Sequence, residues 1–586
     1  MKTIRWVLPM LLGAGLTARA YVLNYNSLTN VQRWNFLAPN SAVPTNVLNR
    51  TTHALRYYLA SDGYSANNTA AELNGVRAAL GQWQAIPNTL IKFEEAGLVN
   101  PPVDVNTSDN TNIIYWTKTT TLVNGGHNDI SGALGVTFTS FTATSNELLQ
   151  ADIVFNGDEY QWFTDFFDPN NQDIFVESVA LHESGHFLGL NHSPLGGATM
   201  FFAGNSGVNV QDGASSDDIA ALRYLYGTNL TGFGAIKGSV TVNGTPVAGA
   251  IVVAQDAVSS NDFTGTLTWT NGNYAMNAIP PGTYRLRAAP LDPAATRSID
   301  ALCTGPDISA VYNNAFTSFL PTTNLSVTVV ANSTNTVNFT VVSNAQPFRI
   351  TQIVVPGPSP LNSFSYGPLP VAMTVGQSNY TIGVASSNLP TSGAAFTISG
   401  DGLTLGSPAF YGNLGGSGLN FIFIPISIAS NATAGLRTFI VQQGTNFAYA
   451  GGYLKIRPAI LDYNFDGLDD VFQRTYFPLF TASNAAPTAD PDGDGMNNLA
   501  EYIAGTNPTN AASVFKLLSP TNSPGGTAVR WLSVAGKSYQ VFSRTNLLTG
   551  SWGSNGPVVT ATGTNTQYLD AGGTNGVRFY RVQVFQ

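Results

Sequence analysis

Up to Gly227 apolar residues recur at helical spacing; beyond it they alternate in short runs cut by Gly, Asn, Pro and Ser. Leu73, Val76, Leu80 and Trp83 share one face of a segment that Pro87 ends. Residues 173–190 read as a second helix, stopped near Gly189 and Asn191. Ser216–Tyr226 reads as a third, with Ser216 as N-cap and Asp217 and Asp218 in its first turn. Strand-like runs lie between, at 112–116 and 133–138. The fold class expected is therefore multidomain: an α/β (α+β) domain first, then several all-β sandwich modules in series.

At about 150 residues per domain, 586 residues suggest about four domains. Charged residues make up 10%, far below the roughly 25% of ordinary soluble chains. The polar surface must come from Ser, Thr, Asn and Gly, as in an extracellular β-rich protein, and 58 Gly with 32 Pro imply many turns. A net charge of −9 without any Lys/Arg block leaves nothing to neutralise phosphates, so no nucleic acid partner is expected. Cys303 is the one cysteine and forms no intramolecular disulfide. At the N-terminus, Lys2 and Arg5, the apolar run 6–16 and Ala18-Arg19-Ala20 read as a secretory signal peptide, with Tyr21 as the first mature residue. No other apolar run approaches the ~18 residues of a membrane span. The chain is expected to be secreted, with association to a cell surface still open.

The chemistry is concentrated in His182-Glu183-Ser184-Gly185-His186-Phe187-Leu188-Gly189-Leu190-Asn191-His192. His182 and His186 are one helical turn apart, so both imidazoles leave the same face and can share one ion. Gly189 lets the chain turn out of the helix through a conformation that a side chain resists, bringing His192 round as a third ligand. Three neutral imidazoles with a fourth position open for water suit a catalytic zinc. Glu183, beside the first ligand, is placed to take a proton from that water. Three of the five histidines of the chain fall in this window.

This stretch resembles the metzincin zinc metallopeptidases, in the matrixin branch that includes the matrix metalloproteinases. Ser193 after the third histidine is the matrixin variant, and Met200 in Ala198-Thr199-Met200-Phe201 is similar to the family's Met-turn beneath the ligands. The resemblance extends over about 50–227. It implies that Gln82-Trp83 belong to the first helix, that 151–156 form the strand before the active helix, and that 132–136 fall on the edge strand that pairs with an extended substrate. It implies that 201–215 line the pocket for the residue after the cut bond, with an apolar preference, and that the Tyr21 amine pairs with Asp217 or Asp218. Only His127 and Asp129 stand near the positions of the family's second, structural zinc, with Val136 and Val154 where other ligands would be; that site is expected to be absent. His127 then reads as a loop residue and His53 as a strand or surface residue. Asn156 and Glu159 fit a calcium or a solvated turn equally. No cysteine precedes the domain to serve as a thiol latch, and Cys303 reads as inert.

The expected organisation is a signal peptide at 1–20 and a matrixin-like zinc peptidase domain at 21–229. A carboxypeptidase-regulatory-like β-sandwich at 230–345 and an Ig-like sandwich at 346–459 follow. A calcium-loop segment at 460–512 leads to a C-terminal β-domain at 513–586. Asp490, Asp492, Asp494, the Met496 carbonyl and Glu501 meet the calcium-loop pattern, with Gly495 at the sharp turn. Asp462, Asn464, Asp466 and Asp470 form an incomplete partner ending at Gln473, and the pair resembles thrombospondin type 3 or dockerin-like repeats. Two readings compete. One is a secreted zinc endopeptidase acting on extended protein or peptide segments, with the β-modules attaching it to a surface or polymer. The other is a non-catalytic adhesive or matrix-binding protein, against which an intact Glu183 and three ligands argue.

Overall fold

The computed structural model describes residues 4–5, 23, 25–27, 30–168, 171–204, 206–207, 210–291, 316–322, 324–361, 363–574 and 576–585. Most of the expected signal segment, Tyr21 and Cys303 lie outside them. The chain divides into two compact units, Met1–Tyr463 and Asn464–Gln586. No described helix is long and apolar enough to cross a membrane.

In the first unit the main elements up to residue 227 are β1 (Leu55–Ala60), α1 (Thr69–Ala85), β2 (Phe93–Val99), β3 (Ile113–Thr117), β4 (Gly135–Phe141), β5 (Leu148–Asn156), α2 (Val176–Phe187) and α3 (Ser216–Tyr226). The five strands form one sheet in the order β2-β1-β3-β5-β4. All neighbours are parallel except the edge strand β4, which runs antiparallel to β5. The expected apolar face of α1 is buried through Leu73, Val76, Leu80 and Trp83. It packs on α2, where the Trp83 indole N–H donates to the Leu181 carbonyl at 2.9 Å. Gly75 permits the close approach, since a Cβ there would lie 2.9 Å from Val176.

Helix α2 is shorter than the expected 173–190 because Ile174–Phe175 pair as a strand with Trp162–Phe163. It closes as a Schellman motif. Gly189 sits at φ +88°, its N–H donates to His186 at 2.9 Å, and the Leu190 N–H reaches back to Gly185 at 3.0 Å. The cap of α3 is also displaced by one residue from expectation. Ser215, not Ser216, is the N-cap, exchanging hydrogen bonds with Asp218 in a capping box worth about 1 kcal/mol. Ser216 Oγ donates instead to the Phe263 carbonyl at 2.7 Å.

Beyond residue 230 the sheet runs across the boundary expected near 345. The strands β6 (Ile251–Asp256), β7 (Asp262–Leu267), β8 (Gly282–Ala289), β9 (Leu325–Val329), β10 (Val371–Thr374), β11 (Gly435–Gln443) and β12 (Asn446–Arg457) join in the order β9-β8-β6-β7-β11-β12-β10. The two halves meet where Asp262 bridges Leu436. That junction is fastened by buried Asp262, whose carboxylate accepts from Arg287 at 3.1 Å, from the Gly452 N–H at 3.0 Å and from the Thr438 hydroxyl. In the second unit, α4 (Asp470–Tyr476) and α5 (Asn498–Ala504) precede a small β-domain with Trp531 and Tyr539 in its core, ring centroids 5.6 Å apart.

Candidate metal centre

Helix α2 is buried along its whole length, which is unusual for a helix carrying two His and two Glu and calls for a partner for each polar group. His182 and His186 sit one turn apart, with ring centroids 4.8 Å apart. The Schellman turn swings His192 to within 4.9 Å of the His186 ring and 5.3 Å of the His182 ring. His186 Nε2 and His192 Nε2 are 3.2 Å apart, and one ligand atom from each of the three rings lies within 4.8 Å of the others. Nitrogens at zinc-bond distance around a tetrahedral ion are about 3.3 Å apart, so the donor set fits that metal.

The outward nitrogens are fixed by backbone. The Nδ1 atoms of His182 and His186 pair with the Thr199 and Leu190 carbonyls, each at 2.8 Å. A donated Nδ1–H leaves Nε2 as the lone-pair nitrogen and holds each ring in plane. Burial drives both imidazoles toward the neutral form a metal requires. The His186 pKa falls to about 4 and that of His182 falls well below its ordinary value, its two neighbouring histidines adding to the effect.

Glu183 is fully buried, and burial pushes its carboxyl up to about 8 while the Thr137 hydroxyl pulls the other way. That hydroxyl, on β4, donates to Glu183 Oε2 at 2.6 Å. Gly135 on the same strand leaves the room, since a Cβ there would stand 3.0 Å from Glu183 Cγ. Thr137 went unnoticed in the sequence, where nothing marks a strand threonine as the partner of a residue 46 positions on. The edge strand itself begins at Gly135, so Gly132 and Ala133 precede it.

Met200 packs beneath the ligands. A Cβ on Gly185 would lie 2.2 Å from its sulfur. The turn is held by Asp218, which accepts from the Thr199 N–H at 2.9 Å, the Met200 N–H at 3.1 Å and the Ser215 N–H at 2.8 Å. Asp217 accepts from Ser193 Oγ at 2.6 Å, Thr264 Oγ1 at 2.7 Å and the Gly265 N–H at 2.9 Å. Both carboxylates accept from internal donors; the Tyr21 amine expected to pair with one of them lies outside the described residues.

In the loop after His192, Phe201 is buried in an apolar cluster with Leu195, Leu436 and Tyr453, and Phe202 stands next to it with its ring 6.5 Å from that of His192. The amide of Asn156 donates to Glu159 Oε2 at 2.9 Å, which also accepts from the Gly132 N–H at 2.6 Å. His53 lies in a turn with Nδ1 paired to the Phe36 carbonyl at 2.8 Å. Val136 and Val154 belong to an apolar cluster with Ile113 and Tyr115.

In the second unit Asp490, Asp492 and Asp494 each offer an oxygen within 4.8 Å of the others. Gly493 and Gly495 take φ of +74° and +95°, and their N–H groups donate to Asp490 at 2.9 and 3.0 Å. The Met496 N–H donates to Asp494 at 2.8 Å. Glu501, on α5, is fully buried, and burial followed by the three aspartates raises its carboxyl to about 7. In the partial partner loop Asn464 donates to Asp466 at 3.0 Å and to Gln473 at 3.1 Å, so an amide occupies the position where a bidentate carboxylate would stand.

Residues 49–227 match the family described as Matrixin, and residues 235–301 the carboxypeptidase regulatory-like domain. Among curated proteins of Arabidopsis thaliana, Metalloendoproteinase 2-MMP is 35% identical over 111 residues, 18% of this chain and 28% of that protein. Metalloendoproteinase 5-MMP is 44% identical over 61 residues, 10% of this chain and 17% of the relative, and Metalloendoproteinase 4-MMP is 33% identical over 162 residues, 26% and 39%. The chain thus spans well under half the length of each. The major pilin subunit of Bacillus cereus, at 12% identity and a TM-score of 0.14 over 39% of this chain and 69% of that one, is too distant to inform the fold. The chain carries a matrixin domain at 49–227, followed by a carboxypeptidase regulatory-like domain at 235–301.

Proposed function

We propose that this chain is a secreted zinc endopeptidase that cuts extended segments of extracellular proteins. The observation that carries the reading is the convergence of His182, His186 and His192 on one point, with Glu183 on the same helix. His182, His186 and His192 would hold a zinc ion, which would supply Lewis-acid chemistry at this point. Glu183 takes the proton of the attacking water on its carboxylate and returns it to the departing amine. Thr137 orients that carboxylate through Oε2. The outer edge of β4 offers backbone groups to a substrate strand laid antiparallel to it. Met200 and Asp218 keep the floor of the site rigid, so that little reorganisation is needed as charge develops.

Two further elements belong to the same reading. The segment 1–20 directs export, and Asp490, Asp492, Asp494, Met496 and Glu501 hold a structural calcium that stiffens the second unit. The β-sandwich segments attach the enzyme to a surface or polymer. The decisive test is digestion of an unfolded generic protein by residues 21–586, beside Glu183→Gln and a zinc-chelated sample. Cleavage by the unmodified chain with a loss of about 10²–10⁴ in the variant is expected. Zinc-loaded wild type as inert as the variant would leave the adhesive reading in its place.

A further inference from the structure

The loop that follows His192 is gripped at both ends by one strand about 250 residues downstream. At its start, the Gly196 and Gly197 N–H groups donate to the Gly451 and Gly452 carbonyls of β12 at 3.0 and 2.8 Å. At its end, Lys455 Nζ of the same strand donates to the Val210 carbonyl at 2.7 Å, to Asp212 Oδ1 at 2.8 Å and to the Gly213 carbonyl at 3.2 Å. Arg457 Nε meets the other oxygen of Asp212 at 2.7 Å.

There is no slack in this contact. A Cβ on Gly196 would stand 2.7 Å from the Tyr453 ring, one on Gly197 2.7 Å from Leu436, and one on Gly213 2.3 Å from the Tyr463 ring. Asp212 and Lys455 are buried, so the ion pair works in a medium that screens it poorly, and each charge is costly without the other. Between the two gripped ends lies Phe202, the aromatic ring beside His192. A loop pinned at both ends to a sheet offers the residue next to His192 little freedom to yield.

We propose that Lys455, with Arg457, is a positioning residue of the zinc site: by holding Val210, Asp212 and Gly213 it anchors the far end of the loop that carries Phe202, and so sets which side chain is accepted after the cut bond. This rests on the peptidase reading above. The downstream sandwich is then a wall of the active site in addition to any attachment it provides. A pinned wall selects narrowly among substrates, and a loosened one tolerates more shapes.

The test uses the full chain from residue 21, with Lys455→Met, Lys455→Arg and Tyr463→Phe; the last removes only a hydroxyl that supports Asp212. Two readouts are taken, amide hydrogen exchange over 194–213 and relative cleavage of a peptide set varied at the residue after the cut bond. Exchange in Lys455→Met is expected to rise at least about tenfold over 194–213, with Lys455→Arg near wild type and Tyr463→Phe between. The cleavage preference between small and large residues is expected to flatten at least about threefold in Lys455→Met, with zinc still bound one per chain. Should Lys455→Met fail to fold, Tyr463→Phe carries both readouts with smaller shifts. Unchanged exchange and unchanged preference in folded variants would overturn the proposal. Wild type that cuts no peptide would sink the peptidase reading, and the exchange data would still decide whether Lys455 holds the loop.

Discussion

The zinc site of the first unit and the acidic loop of the second are both ion-binding patterns, yet they are built in opposite ways. The histidine site draws its side chains from an 11-residue stretch, but most of what fixes them comes from elsewhere. Leu190 of the stretch itself orients the His186 ring, whereas Thr199 orients His182, Asp218 holds the Met200 turn, and Thr137 meets Glu183. The acidic loop largely supports itself: the donors to Asp490, Asp492 and Asp494 are N–H groups of its own residues Gly493 to Met496. Neutral imidazoles tolerate deep burial and so can be fixed by a surrounding core. Clustered carboxylates repel one another and need solvent or a cation, so they stay near the surface on a loop whose backbone turns to meet them.

The sharpest way to break this comparison is to remove a ligand. His186→Ala should abolish zinc retention and peptide cleavage together, while the thermal transition of the second unit stays in place; zinc content by mass spectrometry beside calorimetry reads both. The next largest effect tests dependence on distant support. Asp262→Ala leaves Arg287 buried without its carboxylate, at a cost of about 3–5 kcal/mol. It should lower the melting temperature of the first unit alone, and equal lowering in both units would argue against separate support.

The acidic loop should respond to calcium rather than to zinc. Calcium at about 100 times its Kd should stabilise the second unit by about 2.7 kcal/mol, and Glu501→Gln should cancel most of that shift in a calcium-titrated melt. The smallest effect expected is a pH dependence within the first unit. Asp152 is buried on β5, accepts from the Ile113 N–H at 3.0 Å and the Asn106 N–H at 2.9 Å, and burial pushes its carboxyl up to about 7. Its folded pKa lies above the unfolded value near 4, so the folded state binds more protons between these limits. Its contribution is present below about pH 4 and is lost as pH rises toward 7. Asp152→Asn should therefore show a shallower fall in melting temperature from pH 5 to pH 8 than the unmodified chain; an equal fall would assign the slope to other groups.

Much of the site was legible because helical spacing is a local property. Two histidines four residues apart must share a face, and a glycine three residues later lets the chain turn back. The positions of α1, α2 and α3 followed from the same periodicity, with errors of one to a few residues at their ends. Those errors have local causes: Ile174 and Phe175 were taken by a strand partner, and of two adjacent serines the one whose side chain reached the third helical N–H became the cap. The sheet shared by the segments on either side of residue 345 was not legible. Each strand reads as a short alternating run whichever neighbour it pairs with, and nothing in the run around Asp262 names Leu436 as its partner.

The sequence by itself determined the clustering of His182, His186 and His192, the acid beside them and the turn that gathers them, because all depend on spacings of a few residues. Only the tertiary structure decided what the site leans on. Asp217 and Asp218 face serine, threonine and backbone donors from distant segments. The loop after His192 is held at its start by Gly451 and Gly452 and at its end by Lys455. Such contacts join residues tens to hundreds of positions apart, and they are chosen by which buried polar groups and apolar faces can satisfy one another once the whole chain is packed.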